Sequence, residues 1–398
     1  MPMKPKPKNP ASNTFKLSSE LLKGWRRSLI KLGKPPRGIN KKALAPDLMI
    51  DAIIRESRSD VKTLWSIFTQ ERSEIGRYLN SPKREVSAYL LGFHLANVAR
   101  YQSILIRAHQ RHNLFDHLKT FEHVHLVDIG CGTGALTSGL LDLLNQFKAV
   151  PKSLTIDLVD RQKEFLNSAK TVIEDGFGHT TNLTIKTGRL SIDEYCEKLL
   201  SQPLNQSSCI VIQLGYLLNE IQKNRREMSG LTRLLQSLIS KKLPLLVTAI
   251  DSSIPAHAKF MMNFREYYKN EGLLPIYPCP HFDTCPMLKE ERDWCYSEAE
   301  WTPPREQLVI DRYLEVERRR LGSSSYILAS ESFMKSKSTP DLEPVIVGRP
   351  TTSRTSSRDT PAQQQTFEYL LCSKNGLEKV KSPRNTDRFQ LRGEYLKK

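Results

Sequence analysis

The 398-residue chain has no apolar run near the ~18 residues that a membrane span needs; its longest near-candidate is residues 243–250. Its first 16 residues contain lysines and prolines but no arginine, no apolar segment and no helical periodicity. No secretory signal is visible there, and the segment makes a poor mitochondrial presequence. Seven cysteines are too few to staple a chain of this length with disulfides. Clustered cysteines in a reducing compartment read instead as metal ligands or reactive thiols. No internal repeat is apparent. The expectation is a non-secreted protein that makes no use of a membrane, and hydrophobic residues at 39% supply ample core for two or three units.

The charge is +17, from 60 Lys+Arg against 43 Asp+Glu, and it is uneven. Residues 1–42 carry +11 and residues 335–398 carry +6, which leaves 43–334 neutral. A neutral body with basic ends suits a partner dense in negative charge, most often nucleic acid, with a membrane surface or simple solubility as the rivals. Ser18 or Ser19 is placed to cap a helix over 20–33. Leu22, Trp25, Leu29 and Leu32 would line one face, and Lys23, Arg26, Arg27 and Lys31 surround it. Such a helix either packs on the body or contacts RNA.

Residues 43–118 read as helical, with a break at Pro82. From Val124 short apolar runs alternate with amphipathic stretches. Strands are expected at 124–129, 154–159, 183–187, 209–214 and 245–250. Helices are expected at 135–147, 161–174, 191–201, 223–240 and 256–271. This alternation predicts an α/β doubly wound, Rossmann-like parallel sheet with helices on both faces. A Pro- and Cys-containing segment follows at 276–300, then a charged helix at 305–320 and strands at 325–329 and 366–372. Residues 335–365 read as loop. The units are thus a basic arm and helix (1–42), a helical region (43–118), a core (119–275), a Cys-rich insertion (276–300) and a C-terminal part (301–398) ending in a basic tail.

Within the core, a strand ending at Asp128 runs into Gly130-Cys-Gly132-Thr-Gly134 and then a helix. Glycine allows a tight turn and close backbone approach, and the helix start presents free N–H groups. The next strand ends at Asp160, whose carboxylate can accept both hydroxyls of a ribose. Together these look like the S-adenosylmethionine (SAM) site of class I methyltransferases, with Asp128, Gly130, Gly132, Gly134 and Asp160 as cofactor-binding residues. That fold would set the last two strands as a hairpin beside the fifth. The fourth-strand end, residues 213–220, lacks the Asn/Asp-Pro-Pro-aromatic signature of many amino-group methylases. Tyr216, Asn219 and Glu220 are its candidate substrate-facing or catalytic residues, and each could equally cap a helix.

Three cysteines fall in the 17 residues from Cys279 to Cys295, among flanking prolines. Three thiolates need a fourth ligand for a closed site. His281 is the local candidate and Cys372 the distant one, and spacing alone does not separate zinc from iron–sulfur. Cys131, Cys196 and Cys209 read as packing residues. With the strand at 325–329 taken as parallel and that at 366–372 as antiparallel, the cysteines should gather at the sheet edge opposite the glycine loop. That edge lies about one strand length away, ~17–20 Å.

The segments Cys279-Pro-His…Cys285-Pro…Trp294-Cys295, Gly348-Arg-Pro350, residues 371–376 and Tyr216-Leu-Leu-Asn-Glu220 carry a resemblance. The chain resembles the methyltransferase-like family that assembles the small ribosomal subunit, which has mitochondrial and bacterial members. The resemblance spans roughly residues 85–395. It implies a class I methyltransferase fold, SAM, and a [4Fe–4S] cluster on Cys279, Cys285, Cys295 and Cys372 with His281 as a bystander. It also implies binding to the small subunit or its rRNA in support of assembly and translation. Tyr296 stands where the family often has His, and Asp251-Ser-Ser where it tends to have Glu-Pro-Gly. An active SAM-dependent rRNA methyltransferase is the alternative, and a zinc-stabilised methyltransferase of proteins or small molecules a more distant one. The expected state is a monomer in a bacterial cytoplasm, with the mitochondrial matrix as the alternative.

Overall fold

The computed structural model describes residues 16–32, 45–69, 84–180, 182–203, 208–334, 344–352 and 367–382. Pro82 and most of the expected loop at 335–365 lie outside them.

Five strands run parallel: β1 (His123–Ile129), β2 (Ser153–Val159), β3 (Leu183–Gly188), β4 (Ser208–Gly215) and β5 (Leu245–Asp251). After them come β6 (Leu274–Tyr277), β7 (Ser297–Glu300), β8 (Arg320–Ala329), β9 (Val345–Thr352), β10 (Phe367–Ser373) and β11 (Gly376–Ser382). The main sheet has the order β3-β2-β1-β4-β5-β8-β6, and β7 extends it by pairing with β8. This is the class I SAM-methyltransferase arrangement, with one antiparallel strand, β8, set between β5 and β6. Central β5 is buried at every position, as a strand covered on both faces must be, while edge strand β3 alternates half-buried and exposed. Alternate residues of β1 feed opposite cores. Val124 and Leu126 pack with the N-terminal helices, and Val127 and Ile129 with the helices Ile192–Leu200, Arg225–Ser240 and Pro255–Asn270.

The strand expected at 325–329 is β8. It starts at Arg320, which shortens the charged helix to Arg305–Tyr313, and it is antiparallel to β5. The strand expected at 366–372 is β10, and it does not pair with β8. It forms a separate three-stranded sheet, β11-β10-β9, whose C-terminal hairpin is β10–β11. The last strands therefore do not both complete the main sheet. The expected hairpin is replaced by β6 and β8, because β6 takes the outer position beside β8.

The helix expected at 20–33 is Ser19–Leu32, and Ser18 Oγ accepts its Leu21 N–H at 3.1 Å. Leu21, Trp25 and Leu29 are fully buried, with Leu22 and Leu32 only half-buried. The helix packs on Lys163–Phe177 so closely that a Cβ on Gly24 would stand 2.6 Å from Gly176 Cα. Trp25 Nε1 donates to Leu90 O at 3.1 Å, and Arg26 pairs with Glu306 and Lys31 with Asp175. This helix is therefore part of the body, and only its outer face, with Lys23 and Arg27, is exposed. The helical region continues through Pro46–Thr69, Arg84–Tyr89, a π-helical turn at Leu90–His94 and Leu95–His112. None of the described helices is long and apolar enough to cross a membrane.

Candidate cofactor cleft and cysteine pocket

The glycine loop leaves β1 with Gly130, Gly132 and Gly134 at φ +68°, +52° and +75°, all left-handed. A side chain is strained at all three and also short of space at Gly130 and Gly134. A Cβ on Gly130 would meet Leu217 Cδ1 at 2.9 Å, and one on Gly134 would meet Ala169 Cβ at 3.0 Å. Asp160 follows β2. One of its carboxylate oxygens accepts Gly132 N–H at 3.0 Å, and the other accepts Gln162 N–H at 2.8 Å. Burial raises its pKa, and those backbone donors oppose the rise. Asp160 thus stands against the glycine turn. Asp128 faces the other way. It is buried, accepts the Thr137 hydroxyl at 2.7 Å, and is pushed up to about 7 by desolvation. Its place is beneath the loop as a strut.

Tyr216 follows β4 in the left-handed region, φ +58°, which is strained for a non-glycine residue. Asn219 is tied to the end of β5. Its side-chain amide reaches both Asp251 carboxylate oxygens, at 2.7 and 2.8 Å, and its backbone N–H donates to one of them at 3.2 Å. That role is structural. Glu220 is reached by solvent yet ringed by protein. Its carboxyl is pushed up to about 7, first by desolvation and then by the Asp251 and Asp160 carboxylates. Of the three candidates, Glu220 alone is a carboxyl whose pKa is raised by desolvation and by neighbouring carboxylates.

Three residues of this cleft escape a reading of motifs. Tyr89 precedes the π-helical turn and stacks edge-on against Phe165, with centroids 5.6 Å apart. His94, at the end of that turn, is buried and bonds Thr133 Oγ1 of the glycine loop through Nδ1 at 2.9 Å. Desolvation lowers it to about 3, so it is neutral. Asp251 receives Asn219. A π-helical turn often marks a functional site, but nothing in local sequence announces one.

The four expected ligands Cys279, Cys285, Cys295 and Cys372 line one buried pocket with His281, Met287, Tyr326 and Val347. Cys372 Sγ lies 3.5 Å from His281 Nε2, so the distant cysteine and the local histidine meet in the same pocket. Burial raises the Cys285 thiol to about 11, and Cys279 adds to the rise. The location differs from expectation. Leu274 of β6 is level with Leu246 of β5, and Tyr277 with Thr248, each through its partner on β8. β6 therefore carries the chain back toward the carboxyl edge before Cys279. Cys295 sits there too, its carbonyl accepting Ser324 Oγ at 3.1 Å while neighbouring Asp251 closes β5. Pocket and glycine loop share one sheet edge. Between β1 and β8 or β6 lie three to four strand spacings, roughly 14–19 Å. The separation is sideways along the sheet, not along a strand.

A family model described as mitochondrial small ribosomal subunit Rsm22 matches residues 84–386. The chain belongs to the Rsm22 family. The Rsm22 match spans the glycine loop, Asp160 and all four pocket cysteines, and leaves the arm and helix of residues 1–42 outside it. No curated protein matches the chain. Among solved structures, a Listeria monocytogenes protein assigned to the class I SAM-dependent methyltransferases is 11% identical with a TM-score of 0.35, covering 79% of this chain and 88% of its own. The SAM-bound magnesium protoporphyrin IX methyltransferase of Synechocystis is 12% identical, TM-score 0.29, covering 69% and 97%. The N-terminal domain of human METTL16 is 13% identical, TM-score 0.29, covering 56% and 67%.

Among the described residues, no three His, Cys, Asp or Glu side chains stand in finished metal-binding geometry. The donor chemistry of the pocket nevertheless suits a thiolate-ligated metal group. Four thiols converge from two sequence regions, and the fully buried Arg265 directs Nε at Cys279 Sγ, 3.4 Å away. A buried guanidinium needs anions around it; Glu266 is one, and thiolates holding a metal group would add more.

Proposed function

We propose that this Rsm22-family chain is a SAM-binding, [4Fe–4S]-carrying factor that docks on the small ribosomal subunit or its rRNA and supports assembly and translation. The observation that carries the reading is the convergence of Cys279, Cys285, Cys295 and Cys372 on one buried pocket, although 77 residues separate the third from the fourth. Packing alone gives no reason for four thiols and an arginine to meet. When bound, the cluster would supply a rigid, anionic centre that ties the β9–β11 sheet to the Cys279–Cys295 loop. Bound SAM would lie along Gly130–Gly134 with its ribose at Asp160. The family description favours the mitochondrial matrix over a bacterial cytoplasm.

The test is anaerobic purification of the full chain, with iron and acid-labile sulfide analysis and a visible spectrum, then co-sedimentation with small subunits. Four irons per chain and sedimentation with the subunit are expected. Zinc in place of iron overturns the cluster, and a chain that stays in the supernatant overturns the partner. Methyl transfer to rRNA is the second reading, favoured by Glu220. Desolvation and the Asp251 and Asp160 carboxylates beside it push its pKa up, and it is suited to take a proton from an amino or hydroxyl nucleophile as the methyl leaves SAM. Radiolabelled methyl incorporation into small-subunit rRNA by the wild type, abolished in Glu220→Gln, is the expected sign of it.

A further inference from the structure

A fully buried arginine points into the cysteine pocket. Arg265, on the helix Pro255–Asn270, has no exposed surface. Its Nε faces Cys279 Sγ at 3.4 Å, its Nη1 donates to Glu266 Oε2 at 2.7 Å, and its Nη2 reaches His281 O at 3.5 Å. Glu266 is a divided partner. The same Oε2 accepts Cys285 N–H at 3.0 Å, and Oε1 accepts Lys269 Nζ at 3.2 Å. Arg111 brings a third cation, donating to the carbonyls of Pro278 and Cys279 at 3.1 and 3.2 Å. Asp283, 3.9 Å from His281, is exposed and screened by water. The most deeply buried cation at the pocket wall, Arg265, thus shares its one carboxylate with Cys285 N–H and Lys269 and also points at sulfur. An arginine stays charged under all ordinary conditions, and burying it beside neutral thiols is costly.

We propose that Arg265 is the internal counter-charge of this pocket, so that the pocket accepts a metal group whose thiolate-ligated form is net negative, and that Arg265 tunes its reduction potential. The inference rests on the cluster reading above and extends it. A [4Fe–4S] core of charge 2+ on four thiolates carries −2, and one electron from dithionite takes it to −3. A fixed positive charge in contact with a ligand sulfur stabilises the more negative state and raises the potential. Glu266 opposes it. The sign of each effect follows from charge alone, and that separates a tuning role from simple damage to the fold.

The experiment is a dithionite titration of the anaerobically purified full chain, followed by the spectrum of the reduced cluster, for the wild type, Arg265→Met, Arg265→Lys and Glu266→Gln. Thermal melts check folding of each variant. Arg265→Met should shift the midpoint to more negative potential, Arg265→Lys should restore most of it, and Glu266→Gln should shift it to more positive potential. Unchanged midpoints in folded variants, or shifts of the same sign in Arg265→Met and Glu266→Gln, overturn the inference while leaving the cluster in place. If the wild type holds zinc, the cluster reading fails by itself. Arg265 is then read from zinc retention against a chelator, expected to fall ~10–100-fold in Arg265→Met and to recover in Arg265→Lys, with equal retention overturning it. A wild type that takes up neither metal overturns both.

Discussion

Trp294 donates its indole N–H to the carbonyl of Ser253 at 2.8 Å, which fastens the residue before Cys295 to the loop leaving β5. Two residues back along that loop, Asp251 holds Asn219, and Asn219 Nδ2 also donates to Tyr216 O at 3.2 Å. The cysteine pocket and the Tyr216–Asn219 segment thus meet at the end of β5 and the loop leaving it. Trp294→Phe keeps the ring and removes the donor. The expected cost is ~1 kcal/mol of stability, because Ser253 O loses its partner, read as a lower urea midpoint with an unchanged slope.

Gly130 combines φ +68° with Leu217 at contact distance. Gly130→Ala should cost ~1–2 kcal/mol from backbone strain and push the Leu217 side chain aside. SAM titrated into the variant by calorimetry should show weakened binding or none. Wild-type affinity would mean that the loop does not touch the cofactor.

Asp160→Ala removes both the proposed ribose acceptor and the clasp on Gly132 N–H. SAM affinity should fall by ~1.5–3 kcal/mol, the usual loss for a hydrogen bond to a charged group. Asp128→Asn serves as the contrast. Its carboxyl is buried against Thr137, so it should lower the melting temperature and leave SAM affinity nearly intact in the folded fraction.

The part of the fold that was legible in sequence is the part built on unbroken patterns. β1, β2, β4 and β5 are apolar runs with glycine or acid at their ends, and the helices between them keep a 3.6-residue period. The four missed strands carry contrary local signals. β6 is four residues long and contains Pro275, β7 is Ser-Glu-Ala-Glu, β9 contains Gly348 and Pro350, and β11 holds the charged Glu378, Lys379 and Lys381 without strict alternation. Each is held by its neighbour strand more than by its own propensity. Missing β6 alone was enough to send the cysteines to the wrong edge, since one uncounted strand reverses the chain direction. In the cleft, the glycines were legible because a left-handed turn demands that residue type, and Asp160 because an acid closes the apolar run of β2. Tyr89 and His94 were not, because a π-helical turn and a buried neutral imidazole leave no signature in spacing.

Acid should weaken the fold through buried histidines. His94 is lowered to about 3 and His112 to about 4, chiefly by desolvation. Both fall below the unfolded value near 6.5, so between those limits the unfolded chain binds the extra protons, and stability rises with pH. Going from pH 6.5 to pH 5 should lose about 2 kcal/mol per histidine, measured as a drop in urea midpoint. His94→Gln should flatten the slope by one histidine's share, and an unaltered slope would place the titration elsewhere.

The basic arm can be tested without breaking the body. Removing residues 1–42 would take away Trp25 and Leu29, which are buried between helices, and any loss of RNA binding would then report unfolding. Removing residues 2–16 takes four lysines and leaves the helix Ser19–Leu32 with its Ser18 cap. If those lysines neutralise phosphates, the slope of log affinity against log salt for small-subunit RNA should become shallower by up to ~0.7–0.9 per lysine. The melting temperature should stay the same. Lys23→Ala with Arg27→Ala, on the exposed face of the helix, should then subtract a further contribution of the same kind. A salt slope that both changes leave alone would assign the arm to solubility and move the RNA contact to the basic C-terminal segment.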